Sequence, residues 1–358
     1  MTRMFYRLVS SVGYEPATVA IAPNNAAFSV SDLAGTASVN SSRIRLTRST
    51  VDPVGYQHAA PGARVRFSVT LAAPGFVEID LQYTGLITRN DTYEPDGCVL
   101  VNGVIRATYT GPSKGPSDPH PTGPALVSLA LLAGTHQVEV VFPYCASVDF
   151  EGITIPSGAT VGPASARPVK RGVFFGDSST HGFNSDNPQT SWPYLTAIAE
   201  SAQILNHGYG SRQLIPEDGT TCGGYGADFG VYLIGYNNFA PGGGSLATFK
   251  ADYKTLLTNF RTASTAAGKP NAILYAITPI WSVNDVGNGG PLVSNSPTLE
   301  QFRQAVRDAV ADVADPFVTI IEGLGVGMPS GLSEIVDGIH PGFAGAVKIR
   351  DVVAGVIA

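Results

Sequence analysis

The stretch that decides the fold of the second half of this chain is Val173-Phe174-Phe175-Gly176-Asp177-Ser178-Ser179-Thr180-His181-Gly182. An apolar run followed at once by polar residues is typical of a buried strand that ends in a loop. Ser178 is therefore expected just beyond the carboxyl end of a strand. A serine is a poor nucleophile near neutral pH, because it needs a base to accept its proton and a partner to orient that base.

A second motif, Asp337-Gly338-Ile339-His340-Pro341, supplies both missing groups. His340 is a candidate base, and Asp337 lies three residues before it as a candidate orienting carboxylate. Each motif alone is weak, because Gly-Asp-Ser is a common turn and Asp-x-x-His is usually accidental. The pair gains force from position, since one motif follows a predicted strand and the other precedes the last predicted helix.

Strands and helices alternate between and around these motifs. Buried parallel strands are predicted at 172–176, 203–206, 229–235, 271–278 and 317–322. Helices are predicted at 191–202, 246–267, 299–314 and from about Pro341 onward, the last burying Phe343, Val347 and Val353. This alternation predicts a doubly wound, flavodoxin-like α/β domain with a parallel sheet of about five strands. Ligands bind such sheets at the carboxyl ends of the strands, where Ser178 is placed.

The first half of the chain has the pattern of antiparallel strands instead. Residues 63–71 alternate strictly, with Ala63, Val65, Phe67, Val69 and Leu71 on one face. Further strands are predicted at 76–83, 125–132 and 136–142, and Asn102-Gly103 suits a two-residue hairpin turn. These features predict an all-β, jelly-roll-like sandwich over residues 1–160. A Pro- and Gly-rich stretch predicts a linker at 161–170, and the catalytic domain then spans 171–358.

Composition excludes several classes of partner. The net charge of −6 and the absence of Lys/Arg runs argue against nucleic acid and anionic membranes. No apolar stretch is long enough to span a bilayer, so no membrane insertion is expected. The first residues lack the apolar segment of a secretory signal. The expected location is therefore either the cytoplasm or, after signal removal, the periplasm or the exterior; the oligomeric state stays open.

The three cysteines do not form a disulfide framework. Cys98 and Cys145 both lie in the β-rich half and would pair in an oxidising compartment, although buried free thiols are the favoured alternative. Cys222 is left over in either case. No Cys/His cluster has metal-ligand spacing, so no metal and no cofactor are expected.

Together with two intermediate segments, these motifs resemble those of the GDSL-type serine hydrolases, the SGNH superfamily. The resemblance covers roughly residues 171–358. It implies that Ser178 is the nucleophile, that His340 is the general base and that Asp337 orients His340. It also matches Gly182 to the glycine that closes the first block.

The resemblance extends to an oxyanion hole. Asn206-His207-Gly208-Tyr209-Gly210-Ser211 is similar to the family's Asn-x-Gly-x-x-Gly block, with Ser211 where glycine is usual. The backbone N–H of Gly210 or of Ser211 would donate to the oxyanion, beside that of Ser178. Gly235-Tyr236-Asn237-Asn238 resembles the Gly-x-Asn-Asp block, which implies that the Asn237 amide is the third donor. Asn238 replaces an aspartate that normally orders this loop.

Other residues near the predicted site have two interpretations. Asp177 is expected to order the turn that holds Ser178. His181 and His207 could each contact substrate, although a solvated or loop-ordering histidine is the favoured alternative for both. Tyr236 and Trp281 could line a substrate pocket or could equally be packing residues.

The chain is therefore predicted to be a serine esterase that removes short acyl groups, acetyl above all, through an acyl-enzyme. The partner would be a small-molecule or oligosaccharide ester, because a sandwich before an SGNH domain resembles carbohydrate esterases of the second family. The sandwich aromatics could form a sugar platform, with core packing the favoured alternative: Tyr83, Tyr93, Tyr109 and Tyr144. The alternatives are a lipase, thioesterase or aryl esterase, and a carbohydrate-binding protein with a degenerate hydrolase domain.

Overall fold

The computed structural model describes residues 17–48, 62–86, 96–111, 122–143, 146–185, 187–240, 243–285 and 297–357. Two antiparallel sheets form the first part of the chain, and a parallel sheet with flanking helices forms the second. Both predicted fold classes are confirmed.

The strands of the first part are named in chain order. They are β1 (Thr18–Ile21), β2 (Ser29–Ser31), β3 (Gly35–Val39), β4 (Ile44–Arg48), β5 (Arg64–Leu71), β6 (Gly75–Leu86), β7 (Gly97–Val101), β8 (Val104–Tyr109), β9 (Gly123–Leu131), β10 (Gly134–Val141), β11 (Ala146–Pro156) and β12 (Thr160–Gly162). One sheet has the order β3-β4-β11-β6-β9, with β1 also paired to β11. The other has the order β12-β5-β10-β7-β8, with β2 also paired to β5.

The sandwich core forms between these sheets as the alternation predicts. The inward faces of β5 and β6 are buried, including Val65, Phe67 and Ile79 at 0% exposure. The turn between β7 and β8 has positive φ angles of 53° at Asn102 and 80° at Gly103, as a two-residue hairpin of this type requires. The sequence patterns did not reveal β1, β2 and β3, which are short strands without a buried residue.

For several residues of the first part, the structure decides between the two interpretations given above. Tyr83 and Tyr109 lie in the sandwich core, so they are packing residues and not a sugar platform. Tyr93, Tyr144 and Cys145 lie outside the described residues. Cys98 and Cys222 are buried free thiols. The segment predicted to link the domains begins with β12, which pairs with β5 of the sandwich.

The second part contains a five-stranded parallel sheet. Its strands are β13 (Arg171–Gly176), β14 (Gln203–Gly208), β15 (Phe229–Leu233), β16 (Ile273–Ile277) and β17 (Val318–Ile321). Their order is β14-β13-β15-β16-β17. The chain therefore reverses direction across the sheet at β13, whose neighbours are β14 and β15. Such a switch point opens a crevice at the carboxyl end of the central strand, and Ser178 follows β13 there.

The helices of the second part flank this sheet. They are α1 (Ser178–His181), α2 (Trp192–Ala199), α3 (Glu217–Gly224), α4 (Tyr236–Phe239), α5 (Leu246–Ala266), α6 (Leu299–Val313) and α7 (Phe343–Ile357), with a 3₁₀ helix at Pro188–Thr190. Thr298 and Gln301 form the capping box expected at the start of α6. Within the described ranges, no helix is both long and apolar enough to cross a membrane.

The buried face of α7 agrees with the prediction at Val353 and differs from it at the other two predicted residues. Phe343 is predicted to be buried but is 54% exposed. Val347 is only partly buried, whereas Ala346, Ile349 and Val353 are buried. Phe343 is the first residue of the helix, and the buried positions begin after it, at Gly345.

The two parts of the chain meet through a buried ionic network. Asp32 accepts hydrogen bonds from Arg167 at 2.6 Å and from the backbone N–H of Ile204, on β14, at 2.9 Å. It also pairs with Arg64 at 3.0 Å. The guanidinium of Arg64 bonds Glu139 and lies 5.2 Å from the ring centroid of Tyr194 in α2. The outward face of β5 is therefore covered by the second domain at Arg64, whereas Thr70 at its other end is exposed.

Candidate active site

The turn that follows β13 fixes the position of Ser178. Gly176 has a φ of 149°, and a Cβ there would lie 2.0 Å from the carbonyl oxygen of Leu233, so only glycine can occupy this position. The Asp177 carboxylate then accepts the backbone N–H of Ser179 at 3.0 Å and caps α1. Ser178 begins that helix and is 9% exposed.

A chain of short hydrogen bonds joins the three predicted catalytic residues. Ser178 Oγ lies 2.6 Å from His340 Nε2. His340 Nδ1 lies 2.6 Å from Asp337 Oδ2. The other carboxylate oxygen, Oδ1, accepts the backbone N–H of His340 at 2.7 Å and that of Ile339 at 2.9 Å. The carboxylate is thus fixed by its own loop, and the imidazole is oriented with one nitrogen toward the serine.

The two aspartates of the site have opposite pKa shifts. Burial raises the pKa of Asp337, but the hydrogen bond and charge of His340 and the two backbone N–H groups outweigh it, so the pKa lies well below its usual range. Burial raises the pKa of Asp177 to about 6, opposed by its bonds to Ser179 and by the charge of His340. Asp337 therefore stays ionised down to a lower pH than Asp177 does.

The segment after β14 lies directly against α1. The Asn206 amide donates to the carbonyl oxygen of Thr180 at 3.0 Å and accepts the backbone N–H of Gly208 at 2.9 Å. A Cβ at Gly208 would lie 2.2 Å from the backbone nitrogen of His181, which excludes any other residue. Gly210 and Ser211 follow on this segment. Ser211 has a φ of 58°, a left-handed conformation that explains why glycine is usual in related sequences.

The segment after β15 carries the two asparagines. The Asn237 amide donates to the carbonyl oxygen of Arg212 at 2.9 Å. An amide NH₂ has two hydrogens, so one remains for a substrate oxygen. Asn238 is buried, accepts the backbone N–H of Leu214 at 2.9 Å and donates to the carbonyl oxygen of Gly243 at 3.4 Å. Asn238 thus orders this loop, as expected of the residue that stands where aspartate is usual.

The remaining predicted site residues differ in their surroundings. His181 is buried within α1, and His207 is buried with its ring between Asp218, at 3.6 Å, and the Tyr225 hydroxyl, at 3.4 Å. His207 therefore has a loop-ordering role. Tyr236 is half-buried and accepts a hydrogen bond from Asn284 at 2.7 Å. Trp281 is half-buried against the core of the second domain.

Two contacts of the catalytic loop were not foreseen from the sequence. The ring of Phe183 packs against the His340 imidazole with centroids 4.5 Å apart. The Ser282 hydroxyl donates to the carbonyl oxygen of Gly338, between Asp337 and His340, at 2.9 Å. Neither residue belongs to a recognisable motif. The only signal was their proximity in sequence to the first block and to the end of β16, respectively.

The family of this domain follows from its sequence blocks and their geometry. Residues 174–347 match the GDSL-like lipase/acylhydrolase family. The second domain is similar to that family over most of its length. Its members are acylhydrolases, so the chemistry expected of this site is the cleavage of esters. No curated protein matches the sequence significantly.

Solved structures with the same two-part fold span nearly the whole chain. A salicylyl-acyltransferase from a tetracycline biosynthetic pathway superposes with a TM-score of 0.75 at 18% identity, covering 94% of this chain and 95% of its own. A family two carbohydrate esterase from Cellvibrio japonicus gives 0.63 at 16% identity, with coverages of 96% and 98%. An acetyl xylan esterase from Butyrivibrio proteoclasticus gives 0.59 at 12%, with coverages of 96% and 97%.

The arrangement of polar groups is suited to acyl transfer. The Ser178 hydroxyl, the His340 imidazole and the Asp337 carboxylate form a continuous hydrogen-bond chain. In the part of the chain that the structure describes, no cluster of three or more His, Cys, Asp or Glu is placed to bind a metal ion.

Proposed function

We propose that the protein is a serine esterase that removes short acyl groups, acetyl above all, from a carbohydrate ester. The observation that carries this proposal is the continuous hydrogen-bond chain from Ser178 Oγ through His340 to Asp337, with 2.6 Å at each step. A serine and an imidazole this close permit direct proton transfer during attack.

In acylation, Ser178 Oγ attacks the ester carbonyl carbon, and its proton moves to His340 Nε2. The electron pair of the carbonyl double bond moves to the oxygen, giving a tetrahedral oxyanion. The backbone N–H of Ser178, that of Gly210 or Ser211, and the amide of Asn237 would stabilise it. When the intermediate collapses, His340 returns the proton to the departing alcohol, and the acyl group stays on Ser178.

In deacylation, a water molecule replaces the alcohol. His340 Nε2 accepts a proton from the water, whose oxygen attacks the acyl carbon and forms a second oxyanion. Collapse breaks the bond to Ser178 Oγ, which regains its proton from His340, and the carboxylic acid leaves. Asp337 remains ionised throughout, because its low pKa keeps the negative charge that stabilises the imidazolium.

The choice of a carbohydrate rests on architecture. The carbohydrate esterase of family two and the acetyl xylan esterase share both domains with this chain at nearly full length. At 16% and 12% identity these similarities concern the fold, so the substrate class is inferred by analogy. The preference for a short acyl group rests on the loops around Ser178, where Gly, Asn and Tyr leave little apolar wall for a long chain.

A second candidate function is acyl transfer to an alcohol other than water. The structure with a TM-score of 0.75 is named as an acyltransferase. The acylation step would be identical, and only the acceptor in deacylation would change. The same chemistry on a lipid, thioester or aryl ester remains the alternative for the donor.

The test is hydrolysis of p-nitrophenyl esters from acetate to octanoate, in parallel with acetate release from acetylated xylo-oligosaccharides, each repeated with Ser178→Ala. We expect kcat/KM to fall with acyl length and acetate to be released from the oligosaccharide. A preference for octanoate would favour the lipid or thioester alternative. Product esters formed when an added alcohol competes with water would favour acyl transfer.

A further inference from the structure

One loop of the second domain contacts both halves of the candidate site. It comprises residues 279–285, directly after β16, and we name it the brace loop. Its polar side chains include Ser282, which is 1% exposed, and Asp285, which is 7% exposed. None of these residues belongs to a block of the family resemblance, so the sequence motifs leave the loop without a function.

The brace loop is held by hydrogen bonds to one buried guanidinium. Arg303, on α6, is 1% exposed. It donates to the carbonyl oxygens of Pro279 at 2.6 Å and Ile280 at 3.0 Å, and to both oxygens of Asp285 at 2.8 Å. Asp285 in turn accepts the backbone N–H of Ser282 at 3.1 Å. A charged, bidentate pair of this kind holds a loop more rigidly than neutral bonds would.

One side of the brace loop holds the catalytic histidine loop. The carbonyl oxygen of Gly338 accepts two hydrogen bonds, from Ser282 Oγ at 2.9 Å and from the backbone N–H of Val283 at 2.9 Å. Gly338 lies between Asp337 and His340. Its φ is 82°, and a Cβ would lie 2.6 Å from the Val283 side chain, so the approach of the two loops requires glycine.

The other side of the brace loop reaches the segment of the oxyanion-hole asparagine. Asn284 Nδ2 donates to the Tyr236 hydroxyl at 2.7 Å, and Tyr236 immediately precedes Asn237. The backbone N–H of Asn284 donates to Ser282 Oγ at 3.2 Å. The Ser282 hydroxyl therefore accepts a bond from the Asn284 side of the loop and donates one to the histidine loop.

We propose that Ser282 and Asn284 are positioning residues that set the distance between the Asp337–His340 loop and Asn237, with the Arg303–Asp285 pair as their anchor. The inference rests on the proposed function. General-base and oxyanion contacts are sensitive to displacements of about 1 Å, which can lower a rate by about 100-fold. A loop that connects both sets of groups would therefore govern kcat although it touches no reacting atom.

The test compares Ser282→Ala with Ser264→Ala in the full chain. Ser264 is a matched control, because it is also 1% exposed and also donates to a backbone carbonyl, that of Arg261, but lies on α5 away from the site. We expect Ser282→Ala to lower kcat by about 10- to 100-fold with KM within about twofold. Ser264→Ala should lower Tm and leave kcat unchanged. Equal kcat in both variants, at a temperature where both are folded, would overturn the proposal.

A second variant pair keeps the proposal testable if Ser282→Ala does not fold. Asn284 is only partly buried, so Asn284→Ala is expected to fold. Asn284→Ala and Tyr236→Phe each remove the bond between Asn284 Nδ2 and the Tyr236 hydroxyl, and Tyr236→Phe also removes the bond of that hydroxyl to Ser282. We expect each to lower kcat by a factor of order tenfold, and the double variant to lose no more than Tyr236→Phe alone. Fully multiplicative losses would show that the bond does not couple the two loops.

A measurement that does not depend on activity separates this inference from the proposed function. The proton between His340 Nδ1 and Asp337 can be followed by NMR as a far-downfield resonance. We expect it to exchange with solvent faster in Ser282→Ala than in wild type and in Ser264→Ala. If Ser282→Ala leaves both the exchange rate of this proton and kcat unchanged, the positioning role of the brace loop is refuted. Full activity of Ser178→Ala would instead refute the proposed function, and the exchange result would still decide the positioning role.

Discussion

The interface between the two domains and the carboxyl edge of the parallel sheet both bury polar groups, but they do so in different ways. At the interface, three guanidiniums and two carboxylates pair with one another: Arg64, Arg66 and Arg167 with Asp32 and Glu139. At the sheet edge, charged pairs such as Asp337–His340 and Arg303–Asp285 occur beside single bonds between neutral groups, such as Asn206 to Thr180 and Asn237 to Arg212.

This difference predicts which substitutions change the stability of the fold and which change the reaction rate. A buried charge that loses its partner destabilises the fold strongly, because it cannot regain its hydration. A neutral donor at the edge of a site costs little to remove from the folded state but acts on the charge that develops during reaction. We therefore expect substitutions at the interface to change the free energy of unfolding, and substitutions at the sheet edge to change kcat.

The largest effect should come from Ser178→Ala, which separates the two regions most clearly. We expect kcat to fall by about a million-fold, because the nucleophile is lost, while the midpoint of urea unfolding stays within error of wild type. The matched control is Ser179→Ala, which removes the neighbouring hydroxyl and should keep kcat within a few-fold. Retention of a tenth of the wild-type kcat by Ser178→Ala would exclude Ser178 as the nucleophile.

The opposite pattern is expected for Asp32→Asn at the interface. The substitution keeps an acceptor for the backbone N–H of Ile204 but removes the charge that pairs with Arg64 and Arg167. We expect a loss of about 3–5 kcal/mol in the free energy of unfolding, measured by urea titration, with kcat unchanged at a temperature where the variant is folded. A large fall in kcat without loss of stability would show that the interface controls the site directly.

Asn237→Ala tests the sheet edge with a smaller effect. We expect kcat to fall by about 100-fold with little change in KM, because the amide acts on the transition state. Asn259→Ala is the control, since Asn259 also donates to a backbone carbonyl, that of Pro216, but lies on α5. If KM rises and kcat holds, Asn237 binds the substrate and does not stabilise the oxyanion.

The last prediction concerns the pH dependence of stability. Asp177 lies beside the nucleophile, yet we expect its ionisation to change the free energy of unfolding. Its folded pKa of about 6 lies above the ordinary 3.8, so between these values the folded state holds a proton that the unfolded chain has released. Stability from this group therefore falls as pH rises from about 4 to about 6, by about 3 kcal/mol.

Asp177→Asn should lose that part of the pH dependence, because the amide cannot ionise. The measurement is urea unfolding of wild type and Asp177→Asn at several pH values between 4 and 7. We expect the difference between the two free energies to change by about 3 kcal/mol over this range. Parallel curves would show that Asp177 has no raised pKa in the folded protein.

Much of the catalytic domain could be predicted because local patterns and tertiary structure agree there. The run Val173–Phe175 had to be a buried strand, and three motif blocks each follow a strand end, so Ser178, Gly210 and Asn237 were placed at one edge. His340 was placed only by its position before the last helix. The brace loop could not be predicted. Ser282 and Arg303 act through contacts between loops that are far apart in sequence, and no spacing rule connects them.

The errors in the sequence predictions also have a physical cause. Alternation in β5 correctly assigned Val65 and Phe67 to the core, but it predicts only that Arg64 faces the other way. Whether that other face is solvent or a second domain depends on the tertiary arrangement, and here Arg64 is 1% exposed. Phe343 shows the reverse case, because an apolar residue at a helix start can remain in solvent.

The pairing of β1 with β11 has a consequence for the order in which the protein can fold during synthesis. Thr18 is aligned with Pro156, so the first strand has no partner until most of the first domain has left the ribosome. At ordinary elongation rates this interval lasts on the order of ten seconds. During that time β1 lacks its sheet partner, so its pairing with β11 is one of the last steps in forming this sheet.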